Sequence, residues 1–134
     1  MVYYLDASIQ IDVYRALASV RDDVLYPGEA GCSVESPATL DSVWLPIAGE
    51  HGWIVLYRDK KIRTRPGERQ AFIDAKVPLF CMTGSGNASK WSTLSLLVRR
   101  WDRIEEVANT EKPPYIYSVT QDGVRRLYPS PPAT

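Results

Sequence analysis

A chain of 134 residues is long enough to enclose one hydrophobic core and too short for two comfortable ones, so a single domain over residues 1–128 is expected, followed by a loose tail at 129–134. With 45% hydrophobic residues and no low-complexity run, the composition is that of a globular protein and excludes wholesale disorder. Sixteen Lys and Arg cancel sixteen Asp and Glu, so no global field draws the chain to nucleic acid or to an anionic membrane; any such affinity must be local.

The opening segment Met1-Val2-Tyr3-Tyr4-Leu5-Asp6 has neither the basic start nor the long apolar stretch of a signal peptide, and no transmembrane span is visible. Cys32 and Cys81 match neither a redox pair nor a zinc-site spacing, which leaves buried or idle thiols and makes the cytoplasm the expected location.

In chain order, Val2 to Leu5 is a short apolar and aromatic run that stops at Asp6, as a buried strand does at the edge of a sheet. Ile9, Val13, Leu17 and Val20 then recur at helical spacing, with Tyr14 and Ala16 widening the face. Asp22-Asp23 turns into a second strand, Val24-Leu25-Tyr26, closed by Pro27-Gly28. After a loop without periodicity, Ser36-Pro37 and Thr39 carry helix-start signals, and a second helix is expected from there to about Glu50, kinked or shortened by Pro46.

Trp53 to Tyr57 is nearly all apolar, as in a strand covered on both faces, and Asp59 follows it closely. Glu68 to Ala75 reads as a short helix and Val77 to Met82 as a fourth strand. A longer helix follows, with Trp91, Leu94, Val98, Trp101 and Ala108 on one stripe and a charged opposite face. Tyr115 to Val119 and Val124 to Tyr128 flank Gln121-Asp122-Gly123, a hairpin signal. Alternating strands and helices argue an α/β fold, with a mostly parallel central sheet, helices on both faces and a C-terminal antiparallel hairpin.

In such sheets ligands bind beyond the carboxyl ends of the strands, where strand order reverses. Asp6 and Asp59 lie at such ends. If the first and third strands are neighbours, the two carboxylates face each other, and like charges held close call for a cation or a proton. Asp41 precedes Trp44 by three residues and Leu45 by four, so on a helix it shares the face those two bury. Three aspartates around a hard divalent ion such as magnesium would leave positions for water, and a bound ion can activate that water against a phosphate. Taken singly, Asp6 and Asp59 are as readily turn or capping residues, and Asp41 a first-turn residue favoured by the helix dipole.

Lys60, Lys61, Arg63, Arg65 and Arg69 form the densest positive stretch of the chain, beside Asp59. They are read either as a solvated loop or as the grip on a nucleic-acid backbone. Thr83-Gly84-Ser85-Gly86-Asn87-Ala88-Ser89 opens the long helix; its glycine spacing is not a dinucleotide fingerprint, and helix capping competes with a role for Thr83, Ser85 or Asn87 as a further polar group at the metal. His51, the lone histidine, has no partner at ligand spacing and is read as structural.

The order of these motifs resembles the VapC-type PIN-like domains of bacterial toxin–antitoxin systems. The resemblance is carried by Tyr4-Leu5-Asp6, by Asp41-Ser42-Val43-Trp44-Leu45-Pro46, by Gly52-Trp53-Ile54-Val55-Leu56-Tyr57-Arg58-Asp59-Lys60 and by Phe80-Cys81-Met82-Thr83-Gly84. Arg65-Pro66-Gly67-Glu68-Arg69 and Val119-Thr120-Gln121-Asp122-Gly123-Val124 extend it over nearly the whole chain. It implies an endoribonuclease that uses Mg2+ or Mn2+, is restrained by a cognate VapB-type antitoxin and often forms a homodimer, with Asp6, Asp41 and Asp59 as its acidic residues. The chain departs from that pattern at Ser42, where a second acid would stand, and after Thr83, where a late acid has no counterpart. The competing reading is a binding module, either a catalytically degenerate PIN-like domain or a receiver-like domain with Asp59 as phosphoacceptor, although a receiver needs a lysine after the fifth strand. A phosphatase with Asp6 as nucleophile lacks its second aspartate in Asp6-Ala7-Ser8.

Overall fold

The computed structural model of the chain describes residues 1–58, 66–83 and 88–131. Ten elements follow in the order β1 (Tyr3–Leu5), α1 (Ile11–Ala18), β2 (Val24–Leu25), α2 (Asp41–His51), β3 (Ile54–Arg58), α3 (Pro66–Asp74), β4 (Pro78–Met82), α4 (Lys90–Thr110), β5 (Tyr115–Thr120) and β6 (Gly123–Tyr128). The strands form one sheet in the order β2-β1-β3-β4-β5-β6, parallel throughout except for the antiparallel β5–β6 hairpin. Strand order reverses beside β1, which pairs with β2 on one side and with β3 on the other, Tyr3 opposite Ile54 and Leu5 opposite Leu56. The first and third strands are therefore neighbours, and the crevice at their carboxyl ends is where Asp6 lies.

Alternation along the strands divides the core into two layers. Tyr3, Leu5, Ile54, Leu56 and Phe80 face α1 and α4, meeting Val13, Leu17, Leu97, Trp101 and Ile104. Tyr4, Val55, Tyr57, Leu79 and Cys81 face α2 and α3, meeting Trp44, Leu45, Ala48 and Phe72. Both layers are rich in aromatic contacts, with Tyr3 packed on Trp101 at 4.6 Å and Tyr4 stacked on Trp53 at 5.3 Å. Cys81 is buried in β4 and Cys32 is half-buried in the loop before α2, neither of them in a disulfide. Among the described residues no helix is long and apolar enough to cross a membrane.

The structure corrects the sequence expectations in three places. The second helix begins at Asp41, later than Ser36 or Thr39, because Ser36 and Thr39 bond each other in a turn: Thr39 Oγ1 donates to the Ser36 carbonyl at 2.6 Å. Pro46 leaves this helix continuous; it lies on the exposed side and removes one backbone donor while Trp44, Leu45 and Ala48 stay packed inward. The phase of α4 also differs. Its buried row is Thr93, Leu97, Trp101, Ile104 and Val107, which leaves Trp91 76% and Val98 61% exposed, and Val20 beyond α1 is 81% exposed.

Two glycines are needed where they stand. Gly52 closes α2 in the left-handed conformation at φ 68°. A Cβ on Gly49 would lie 2.2 Å from the Ala75 carbonyl oxygen, so the approach of α2 to the end of α3 depends on its absence.

Candidate active site

Asp6 ends β1 and is 7% exposed. Its N–H donates to the Leu56 carbonyl at 3.0 Å, which continues the β1–β3 pairing by one residue, and its carbonyl accepts from Ile9 at 2.9 Å to start the turn into α1. Oδ2 accepts the Ser8 N–H at 2.9 Å. The turn role open to any aspartate after a strand is thus present here. A carboxylate accepts about four hydrogen bonds, so one amide leaves acceptor capacity at a buried position.

Asp41 opens α2, where the helix dipole favours negative charge. Its Oδ1 accepts Nε1–H of Trp44 at 2.9 Å, the partner three residues on that helical spacing calls for. Because Trp44 is buried, this bond fixes the carboxylate against the core layer of α2 and α3.

Tyr4 joins the two acids. Its ring lies against Trp44 and Trp53, and its hydroxyl is buried without a hydrogen-bond partner among the described residues. Burial pushes its ionisation far above the ordinary phenol range; the negative charges of Asp6, Cys32 and Asp41 push the same way. Asp6 and Asp41, 35 residues apart in the chain, therefore both act on one neutral phenol. Asp6 also raises Tyr26 on the opposite core layer, after burial, so it stands at the edge where the two layers meet.

The third predicted acid, Asp59, lies outside the described residues, as do Lys60, Lys61, Arg63, Arg65, Ser85 and Asn87. The strand that delivers Asp59 ends beside Asp6: the N–H of Arg58, its last residue, donates to Ser8 Oγ at 3.0 Å. Among the described residues no three His, Cys, Asp or Glu side chains converge on one point; what Asp6 and Asp41 share is the buried Tyr4, on which both charges bear. Their donor set suits a hard divalent cation, since both offer carboxylate oxygens. The orphaned Tyr4 hydroxyl is a buried donor that the oxygen shell of such an ion would satisfy.

Arg69 is directed elsewhere. Its guanidinium donates to the Leu127 carbonyl at 3.0 Å and covers the Tyr128 ring at 5.7 Å, which ties α3 to β6, three strands away from β3. Thr83, just beyond β4, lines a cleft on the α4 side of the sheet together with Arg58 and Thr93. His51 bonds the Ile47 carbonyl through Nδ1 at 2.8 Å and stacks on Trp53, in keeping with a structural role.

Tyr4 and Arg58 are the residues that sequence reasoning passed over. Strand alternation was the available signal for both, since it sets Tyr4 on the face of Asp6 and sends Arg58 to the face opposite Tyr57.

With this geometry in view, a family model described as a PIN like domain matches residues 1–84. The chain belongs to the PIN-like domain family. The match runs from β1 through β4, and so includes Asp6, Asp41, Asp59 and Thr83. PIN-like domains are typically nucleases, and a nuclease-type function follows in general terms. Comparison with curated proteins and with solved structures gives no match.

Proposed function

We propose that the protein is a metal-dependent endoribonuclease of the VapC type, the toxin of a toxin–antitoxin pair, acting in the cytoplasm and restrained by a cognate antitoxin. The observation that supports this reading is Asp6, held by the Ser8 amide at the switch point of a PIN-like sheet, with Asp41 anchored at the start of α2 and both charges bearing on the buried Tyr4. Asp59, one residue past β3, is the third acid. A magnesium or manganese ion held by these carboxylates would supply Lewis acidity and an activated water for phosphodiester hydrolysis.

The chain's own groups have separable tasks. The Ser8 N–H and Trp44 Nε1–H each hold one carboxylate in place. Tyr4, kept neutral by its surroundings, would give its hydroxyl proton, unpartnered among the described residues, to an oxygen around the bound ion without adding negative charge. Lys60, Lys61, Arg63 and Arg65 follow Asp59 directly and supply positive charge for an RNA backbone, whose contacts weaken with added salt. The VapC-type assignment also implies self-association, which sedimentation of the purified chain measures.

The test is cleavage of single-stranded RNA by the purified protein with magnesium and with a chelator. Cleavage that requires the metal and disappears in Asp6→Asn, Asp41→Asn and Asp59→Asn, each folded by circular dichroism, is the expected result. RNA left intact by the wild-type chain under all conditions points instead to the degenerate binding module. For the toxin assignment, induced expression should arrest growth with the wild-type chain and not with Asp6→Asn.

A further inference from the structure

On the α4 side of the sheet, a cleft of about 220 Å3 opens between the carboxyl ends of β3, β4 and β5 and the first turn of α4. This is below the ~300–1,000 Å3 of sites that enclose a whole small molecule, and suits one group of a larger ligand. Its only charged lining residue among those described is Arg58, set in a largely apolar wall; Thr83 and Thr93 contribute hydroxyls and Gln121 an amide, whereas the hydroxyls of Ser92 and Thr120 donate to the Ser89 and Gly123 carbonyls.

The charge of Arg58 is held in place. Its guanidinium donates to Thr93 Oγ1 at 2.6 Å, and Thr93 is 2% exposed on the buried row of α4. That bond explains why a threonine occupies an otherwise apolar row. The far wall is backed by two more guanidiniums: Arg99 donates to Gln121 Oε1 at 2.8 Å, and Arg100 to the Thr120 carbonyl at 3.1 Å and to the Gln121 carbonyl. Arg58 is thus the one arginine among the described residues that lines the cleft, and Arg99 and Arg100 brace its Thr120–Gln121 wall from outside. Planar guanidinium with flanking hydroxyls is the chemistry that recognises phosphate.

The cleft is linked to the carboxylates through a short path. Ser8 donates its N–H to Asp6 and accepts the N–H of Arg58, so the two sites flank the end of β3. We propose that the Arg58 cleft is a phosphate subsite, which holds a backbone phosphate of single-stranded RNA while the neighbouring carboxylates address another. This rests on the ribonuclease reading above and adds to it a second contact point for the substrate.

The experiment measures binding without cleavage, by fluorescence anisotropy of a short single-stranded RNA with divalent ions chelated, over a series of salt concentrations. Arg58→Gln is expected to weaken binding about tenfold and to lower the salt slope by about 0.7, the share of one phosphate on a single strand. Arg58→Lys, which keeps the charge and loses the planar fork, is expected to fall between it and the wild type. Thr93→Val, which keeps the charge and loses its anchor, should cost a few-fold with the slope unchanged. Arg125→Gln, at the one exposed position of β6, is the matched control and should bind like the wild type.

Equal affinity and slope for Arg58→Gln and the wild type would overturn the proposal. So would inorganic phosphate shifting the Arg58 guanidinium resonance while RNA leaves it unmoved, because the cleft would then serve a free phosphate. If Arg58→Gln fails to fold, Arg58→Lys and Thr83→Val, which keep the charge, should each bind a few-fold more weakly than the wild type with the slope unchanged, and wild-type affinity in both would overturn the proposal. Cleavage is scored separately: RNA binding that depends on Arg58 in a chain without nuclease activity would sink the ribonuclease reading alone. Metal-dependent cleavage with Arg58-independent binding would sink the subsite alone.

Discussion

At the ends of β1 and α2 two carboxylates act on one buried phenol, whereas at the ends of β3 to β5 a guanidinium is held among hydroxyls. The two regions share the edge of one sheet, and Ser8 bonds both. Their difference lies in the element that backs each. The acidic corner is backed by α2, whose first residue is an acid anchored to its own tryptophan. The basic cleft is backed by α4, whose buried row opens with a threonine that receives Arg58. On the proposed function, one edge would offer a place for a cation next to a place for an anion, a division of labour that hydrolysis of a phosphodiester can use.

The sharpest way to break this comparison is to neutralise one region at a time. Asp41→Asn keeps a side chain of similar size; turnover of RNA should fall by at least about 100-fold, the upper range seen when a group that orients a metal ligand is lost. Its RNA affinity in chelator should stay equal or rise, because a negative charge has gone. Arg58→Gln should do the opposite and lose affinity first. A loss of affinity in both variants, or of turnover alone in both, would show that the two regions do not have separate tasks.

The frame that holds the acidic corner can be tested next. Gly49→Ala forces a methyl against the Ala75 carbonyl and should destabilise the chain by about 1–3 kcal/mol, read from the midpoint of urea unfolding. Unchanged stability would mean that α2 and α3 can separate at no cost. Tyr4→Phe removes an unpartnered buried hydroxyl and should raise stability by about 1 kcal/mol, while lowering metal-dependent cleavage. A stabilised variant with full cleavage would confine Tyr4 to the core.

The smallest effect concerns the opposite layer. Burial first, then the charges of Glu105 and Asp23, push Tyr3 from 10.0 up to about 12, against the opposing pull of Arg21. A phenol with a raised folded value stays neutral while its unfolded counterpart ionises. Its contribution to stability is therefore complete below pH 10 and is lost progressively as pH rises from 10 towards about 12. Urea midpoints falling over that interval, with the phenolate ultraviolet band lagging behind that of the unfolded chain, are the expected readings. Tyr3→Phe should lessen the decline.

Much of the frame was legible in the sequence because apolar runs with abrupt ends have one physical meaning. Val2 to Leu5 stopping at Asp6 and the Trp53 to Tyr57 run marked β1 and β3, and Gln121-Asp122 marked the hairpin turn. The phase of α4 was less legible. Trp91, Leu94 and Val98 repeat at helical spacing as convincingly as Leu97, Trp101 and Ile104 do, and only the docked sheet decides which row is buried. Thr93 was hidden for the same reason, since its burial depends on a guanidinium from another element. The start of α2 was displaced because Ser and Thr hydroxyls close turns as well as they cap helices. Arg69 was grouped with its charged neighbours in sequence, yet its place is set by Leu127 and Tyr128.

The most direct measurement is a titration of the purified, chelator-treated chain with manganese, followed by electron paramagnetic resonance or calorimetry. Asp6, Asp41 and Asp59 gathering around a common cation predicts one site per chain, abolished or weakened at least tenfold by Asp6→Asn and by Asp41→Asn separately. Manganese bound equally well by both variants would contradict it, because the two carboxylates would then have no ion in common.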